Sequence, residues 1–135
     1  ALKHMEPRGS GRIINISSLE GRTVTHASLG DYITHKHALN GFTKAVAFEY
    51  GAKGITSNAI SPGAVETDLM KDAGPVVAKT TGITYEQFLD SYAQVAAINR
   101  IIKVEEVAAV ALLLASPDGA GITGAIIPVD GGSII

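Results

Sequence analysis

Three short runs rich in apolar residues are spaced along the chain, at residues 12–17, 55–60 and 124–129. In the first run, R-I-I-N-I-S, the apolar positions are nearly continuous rather than alternating, which is typical of a parallel strand covered on both faces. Turn residues close the other two runs, as Ser61-Pro62-Gly63 and Asp130-Gly131-Gly132. The pattern therefore predicts three short strands.

A long stretch of helical periodicity lies between the first two strands. From about Asp31 to Glu49, apolar side chains recur at helical spacings, at Ile33, Leu39, Phe42, Ala45 and Val46. Asp31 can cap the start of this helix, and Gly51 and Gly54 supply its stop. Residues 19–30 have no clear period, and we expect a loop there.

Residues 64–103 mix polar and apolar side chains without a sustained period, although residues 85–98 could hold a helix. Because connections of this length in compact domains are usually functional, we expect a substrate lid. Glu105 and Glu106 then open a helix, where their charge suits the positive amino-terminal end. Residues 107–115 of that helix are apolar nearly all round, which predicts a buried helix.

The order strand, helix, strand, lid, helix, strand makes two consecutive crossover units, which predicts an α/β fold with a parallel sheet. Three strands leave one sheet edge unpartnered, a poor state for a free-standing domain. Residues 1–5 resemble the end of a helix entered partway, followed by a break at Pro7, Gly9 and Gly11. We therefore expect residues 1–135 to form one partial domain, the carboxy-terminal half of a larger doubly wound domain.

Composition narrows the choice of partners. The 135 residues carry 11 Lys+Arg and 13 Asp+Glu, a net charge of -2, without a basic cluster. Nucleic acid and anionic membranes thus lack their usual electrostatic footprint, which favours a small organic substrate. The longest apolar stretch, residues 107–115, is far shorter than a membrane-spanning helix needs. The absence of Cys excludes disulfides and fits a cytoplasmic location.

Three residues form the main candidate for a chemical site. Ser18 follows the first strand, at the sheet edge where ligands bind in open parallel sheets. Tyr32 and Lys36 are four residues apart, hence neighbours on one face of the predicted helix. A nearby ammonium favours the phenolate, and a serine hydroxyl can hold a substrate oxygen as charge develops there. The three would make a site of proton transfer between carbonyl and alcohol.

Other polar residues have simpler explanations. Ser17 is the nearest rival of Ser18, but alternation along the strand turns it to the opposite side. His35 and His37 are two residues apart and do not share a helical face, so we expect no metal site, and no role is assigned to His4 or His26. Lid carboxylates and nearby cations predict a solvated polar face: Asp68, Asp72, Glu86 and Asp90 with Lys71, Lys79 and Arg100.

Together these motifs resemble those of the short-chain dehydrogenase/reductase family in its compact single-domain form. The resemblance rests on Asn15-Ile16-Ser17-Ser18, Gly21, the Tyr32/Lys36 pair, the strand end from Asn58 to Gly63, Thr67, Thr123-Gly124 and Val129 to Gly132. These motifs occur in family order across nearly the whole chain. The resemblance implies a Rossmann-type doubly wound parallel sheet and an oxidoreductase that uses NAD or NADP.

The resemblance also implies roles for individual residues. Ser18 matches the serine that binds the substrate oxygen, Tyr32 the tyrosine that passes the proton, and Lys36 the lysine that makes this tyrosine more acidic. Tyr32 and Lys36 also contact the cofactor, Lys36 through the nicotinamide ribose. Pro62 and Gly63 match the turn under the nicotinamide, and Val65 and Thr67 the positions that hold its carboxamide. The Asp130-Gly131-Gly132 turn closes the last strand near a subunit contact.

The family's G-x-x-x-G-x-G phosphate loop, its Asn-Asn-Ala-Gly strand end and its upstream catalytic asparagine do not occur in the chain. That loop supplies much of dinucleotide affinity, so we expect the 135 residues alone to be inactive or barely active. Two alternatives stay open: a non-catalytic remnant or assembly module, and an epimerase or dehydratase on the same scaffold. Homo-oligomer contacts, in a dimer or tetramer, are expected at the long helix and the last strand. Candidate substrates include 3-oxoacyl thioesters, steroids, sugars and simple cyclic alcohols.

Overall fold

The computed structural model describes residues 1–25 and 27–134. Its sheet has three parallel strands in the order β1-β2-β3: β1 is Gly11–Ile16, β2 is Ile55–Pro62 and β3 is Ile126–Val129. The register pairs Ile16 with Ile60 and Pro62 with Val129. The α/β fold and the parallel sheet predicted from the pattern are thus confirmed.

Strand β2 forms the centre of the molecule because it has a neighbour on each side. Its apolar residues Ile55, Ala59 and Ile60 have no exposed surface, and Asn58 is 1% exposed. The Asn58 amide compensates for its burial through two hydrogen bonds: Nδ2 donates to the Ile122 carbonyl at 2.8 Å, and Oδ1 accepts from the Ala125 N–H at 3.0 Å. These bonds attach the segment before β3 to the sheet.

In the described residues five α-helices accompany the sheet: α1 at Leu2–Met5, α2 at Gly30–Tyr50, α3 at Asp68–Thr81, α4 at Tyr85–Ala93 and α5 at Val104–Ala115. Helix α2 packs against β2 and against a short 3₁₀ turn at Leu19–Gly21, whereas α5 packs against β1 and β2. Among the described helices, none combines the length and the hydropathy needed to cross a membrane.

Helix α3 was not predicted, and its sequence explains why. Gly74 and Pro75 lie in its interior, where both residues weaken a helix, and Pro75 has no N–H to donate. The helix nevertheless begins at a cap, since the Thr67 hydroxyl accepts from the Met70 N–H at 3.3 Å. The helix expected at residues 85–98 is shorter, because the chain turns after Ala93 and Asn99 has a positive φ of 52°.

Two expectations about helices were wrong. Asp31 does not cap α2: the N-cap residue is Leu29, without a side-chain cap, and Asp31 lies in the first turn. Helix α5 is not buried all round: Leu114 is fully buried, but Leu112 is 73% exposed. The reason is that an apolar sequence does not specify which faces are covered, and within the described residues only one face of α5 meets the sheet.

Candidate active site

Ser18 lies just past the carboxyl end of β1. The Ser17 N–H extends the strand ladder by one bond, to the Ile60 carbonyl at 2.7 Å. Ser18 itself is extended and caps the Leu19–Gly21 turn, its hydroxyl accepting from the Glu20 N–H at 3.2 Å. The Ser61 hydroxyl donates to the Ser18 carbonyl at 2.7 Å. Two strand ends therefore hold Ser18 in place.

Tyr32 and Lys36 occupy the first two turns of α2. The Lys36 Nζ lies 5.5 Å from the centroid of the Tyr32 ring, so the pair expected from the spacing is in contact. The same Nζ donates to the Ile16 carbonyl at 2.8 Å, at the last residue of β1. Lys36 thus connects the tyrosine to the strand end that precedes Ser18.

Contacts around Gly21 set the distance between α2 and the Ser18 turn. The Asn40 Nδ2 donates to the Gly21 carbonyl at 2.7 Å. A Cβ at Gly21 would lie 2.6 Å from the Ser17 Oγ and 2.9 Å from the Lys36 carbonyl oxygen, so only glycine allows this approach. Sequence reasoning missed Asn40, because a buried Asn on a helix leaves no local signal that distinguishes it from an exposed one.

A cavity of about 200 Å³ opens beside Ser18. Most of its wall is apolar: Leu19, Leu29, Ala64, Tyr92 and Val95. Its polar lining residues are Ser18, Glu20 and Ser133, and Gly63 completes it. Both the Thr25 N–H, at 3.1 Å, and the Thr25 hydroxyl donate to the Glu20 carboxylate. The cavity lies at the carboxyl ends of β1 and β2, where a ligand crevice is expected in this kind of sheet.

The segment after β2 offers hydrogen-bonding groups that a nicotinamide carboxamide could use. Backbone hydrogen bonds between residues 64–66 and Ile102 fix the segment, yet within the described structure the Val65 N–H has no acceptor. The Thr67 Oγ1 lies two residues further on, at the cap of α3. An amide ligand needs one donor and one acceptor. The Val65 N–H and the Thr67 hydroxyl therefore fit the carboxamide that the resemblance assigns to them.

The sequence-predicted residues thus fall into two connected groups. Ser18 and Gly63 line the cavity, together with Leu29, which directly precedes α2. Tyr32 and Lys36 do not belong to the lining; Lys36 contacts the end of β1 through the Ile16 carbonyl, and Tyr32 contacts Lys36. Tyr32 is 40% exposed, at the amino-terminal end of α2.

Two ion pairs outside the proposed site join separate segments of the fold. The Arg22 Nη1 donates to the Asp130 Oδ2 at 2.8 Å, which joins the Ser18 turn to the residue after β3. The Arg100 guanidinium binds both carboxylate oxygens of Glu106 at 2.7 Å, and the Lys103 N–H binds one of them, which lowers the pKa of Glu106 to about 2. Arg100 lies in the segment between α4 and α5, and Glu106 lies in the first turn of α5.

The structure groups no three His, Cys, Asp or Glu residues as metal ligands within the part of the chain it describes. His35 and His37 are exposed on α2, and the His37 Nδ1 lies 3.0 Å from the Ile33 carbonyl. His26 lies outside the described residues.

Residues 1–133 match a protein-family model described as Enoyl-(Acyl carrier protein) reductase. The chain is 41% identical over 133 residues to the D-beta-hydroxybutyrate dehydrogenase of Rhizobium meliloti (strain 1021), a match that covers 98% of this chain and 51% of that protein. The chain therefore spans about half the length of this relative.

Solved structures share the fold of this chain over 98% of its length. A short chain dehydrogenase family protein from Francisella tularensis superimposes with a TM-score of 0.87 at 27% identity, over 98% of this chain and 55% of that one. A variant of the actinorhodin polyketide ketoreductase with NADPH gives a TM-score of 0.86 at 36% identity, over 98% and 51%. Since the family match, the sheet and the order of the motifs coincide, the chain belongs to the short-chain dehydrogenase/reductase family.

Proposed function

We propose that this chain is the nicotinamide-facing half of an NAD(P)-dependent oxidoreductase that interconverts a secondary alcohol and a ketone. One observation carries the proposal: the Lys36 Nζ, in contact with the Tyr32 ring, donates to the Ile16 carbonyl at the strand end that leads to Ser18. The pair and the serine are thereby attached to one strand end, beside a cavity. Residues 64–103, which include Tyr92 and Val95 of the cavity wall, form the substrate lid.

The proposed roles follow from hydrogen-bond capacity. The Ser18 hydroxyl already accepts from the Glu20 N–H, and no described residue accepts from it, so its proton is available to a substrate oxygen. Tyr32 gives its phenolic proton to that oxygen during reduction and takes it back during oxidation. The positive charge of Lys36 stabilises the phenolate left behind. The nicotinamide, when bound, supplies or accepts the hydride.

Lys36, Pro62, Gly63, Val65 and Thr67 would hold the cofactor, which is NAD or NADP. Two of the three ammonium protons of Lys36 are free for ribose hydroxyls after the bond to Ile16. The NADPH in the similar polyketide ketoreductase structure supports nicotinamide use. The names of that ketoreductase and of the hydroxybutyrate dehydrogenase support a substrate with a ketone or a secondary alcohol.

We also propose a cytoplasmic homo-oligomer, a dimer or a tetramer, with contacts along α2 and near β3. Phe48 and Phe42 on α2 are 92% and 55% exposed, and large apolar exposure of this kind is typical of interaction surfaces. Light scattering coupled to size-exclusion chromatography should give a multiple of the monomer mass. A monomer at all concentrations would contradict this part of the proposal.

The function is tested with the product of the complete gene and a panel of ketones: a 3-oxoacyl thioester, a cyclic ketone, a steroid ketone and a ketose. We expect stoichiometric oxidation of NADH or NADPH with at least one of them. Residues 1–135 expressed alone should show little or no turnover, because they contain no glycine-rich phosphate loop. Lack of turnover by the complete protein would favour an assembly module, and sugar isomerisation without net cofactor oxidation would favour an epimerase.

A further inference from the structure

We propose that the cavity beside Ser18 selects an uncharged, compact ketone or secondary alcohol and discriminates against substrates with a carboxylate near the reacting carbon. This inference rests on the proposed function and names the substrate class of the same site. It follows from the walls of the cavity, from the charges around it and from its size.

The described part of the walls offers a negatively charged substrate group no cationic counter-ion. Among the described residues that line the cavity there is no Lys, Arg or His, and the one carboxylate belongs to Glu20. The cation nearest in sequence to Ser18, Arg22, is paired with the buried Asp130 at 2.8 Å. Lys36 donates to the Ile16 carbonyl and does not belong to the lining.

A carboxylate bound here would lose its water without gaining a cationic partner. Burying an ionised group in apolar surroundings is costly unless it is paired, and a second carboxylate nearby adds repulsion. Binding of an apolar substituent of the same size is favourable instead, because Leu29, Ala64 and Val95 remove its surface from water. The two serine hydroxyl groups of the described lining, on Ser18 and Ser133, suit a neutral oxygen.

The size of the cavity favours a compact substrate. A volume of about 200 Å³ holds roughly seven water-sized groups, when each occupies about 30 Å³. That is the scale of a short-chain or cyclic ketone, and it is below the volume of pockets that enclose drug-sized ligands. We therefore expect the carbonyl and its immediate substituents to fill the cavity.

Acetoacetate and 2,4-pentanedione test the inference, because they are isosteric and differ by a carboxylate oxygen in place of a methyl group. With the product of the complete gene at neutral pH, kcat/KM for 2,4-pentanedione should exceed that for acetoacetate by about tenfold or more. Equal values, or a preference for acetoacetate, would overturn the inference and leave the proposed function intact. Turnover of neither, by a protein that reduces another ketone, would also overturn it. If no ketone is reduced, the proposed function fails first, and the inference fails with it.

A cation introduced into the wall should largely cancel the preference for 2,4-pentanedione. V95K places an ammonium in the lining, and it should raise kcat/KM for acetoacetate relative to 2,4-pentanedione by about tenfold. V95M, of similar length but uncharged, should leave the ratio within about threefold of the wild type. V76K puts the same charge on an exposed face of α3, where it should not change the ratio. An equal increase in V76K and V95K would show a general charge effect and contradict the assignment.

Discussion

Lys36 has two partners that belong to different parts of the chain, the ring of Tyr32 on its own helix and the Ile16 carbonyl at the end of β1. The first contact is local, because residues four apart on a helix are neighbours, and the sequence predicted it. The second joins residues that are 20 positions apart. It determines where the tyrosine lies relative to Ser18, and no local pattern indicates it.

Y32F tests the proton-transfer role at this scale. In the product of the complete gene, we expect turnover to fall by about two to four orders of magnitude, because the phenolic proton is lost, while cofactor affinity stays nearly unchanged. Steady-state kinetics and cofactor titration measure the two quantities. Y50F is the matched control, since Tyr50 ends the same helix and contacts Lys53 instead. Comparable rates for Y32F and the wild type would refute the role.

The lowered pKa of Glu106 predicts that the free energy of unfolding depends on pH through this one residue. The Arg100 hydrogen bonds are the main reason why the pKa of Glu106 is lowered from an ordinary value of 4.5 to about 2. The folded state therefore favours the ionised carboxylate more strongly than the unfolded state does. The contribution to stability is complete above about pH 4.5 and is lost as the pH falls towards 2.

E106Q should therefore show a weaker loss of stability than the wild type across that acid range, as measured by denaturant unfolding at each pH. E105Q removes a charge from the same helical turn but keeps the Arg100 contact, so its pH dependence should stay close to that of the wild type. Identical curves for E106Q and the wild type would contradict the assignment.

At the scale of elements, the segment proposed as the lid contains two helices, α3 and α4, that meet at a glycine. A Cβ at Gly74 of α3 would lie 2.6 Å from the Tyr85 Cε2 and 3.1 Å from the Phe88 Cε1 of α4. The Phe88 ring in turn contacts Tyr92, at 5.1 Å between centroids, and Tyr92 lines the cavity. The Thr84–Gln87 capping box that starts α4 could have been found in the sequence, whereas the reason for Gly74 could not.

G74A should destabilise this helix pair by about 1–3 kcal/mol, because the added methyl group displaces packed aromatic rings. Denaturant unfolding measures the loss, and KM should rise more than kcat falls, since Tyr92 is moved. G51A is the matched control without a steric conflict. The φ of Gly51 is -58°, which suits alanine, and nothing lies within 4 Å of the added Cβ. It should be neutral or stabilising by up to about 1 kcal/mol. A G74A protein as stable as G51A would show that the contact does not matter.

Across the whole molecule, the Arg22–Asp130 pair joins segments that are 108 residues apart. Asp130 is 6% exposed, and its second oxygen accepts from the Gly132 N–H at 3.0 Å. The turn after β3 also meets the end of the lid, where the Ile98 N–H donates to the Gly131 carbonyl at 3.1 Å. The Asp130-Gly131-Gly132 motif, which follows β3, therefore contacts both Arg22 beside the Ser18 turn and Ile98 of the segment between α4 and α5.

A double-mutant cycle of R22M and D130N should give a coupling energy of roughly 0.5–3 kcal/mol in unfolding, as for residues in direct contact. Arg22 keeps about a quarter of its side chain exposed, so solvent screening places the value towards the lower end. Additive effects, with a coupling below about 0.3 kcal/mol, would mean that the pair does not hold the two segments together.

The sequence alone determined the class of fold and indicated the residues of the proposed site, because both depend on short-range patterns. Apolar runs, helical spacing and turn residues predicted β1, β2, β3, α2 and α5, and the strand-end rule placed Ser18 at the ligand edge. Only the tertiary structure decided which helix faces are covered and which distant groups meet. The Lys36–Ile16, Asn40–Gly21, Ser61–Ser18 and Arg22–Asp130 contacts arise when packing brings remote segments together, and such contacts have no periodicity that a sequence pattern can reveal.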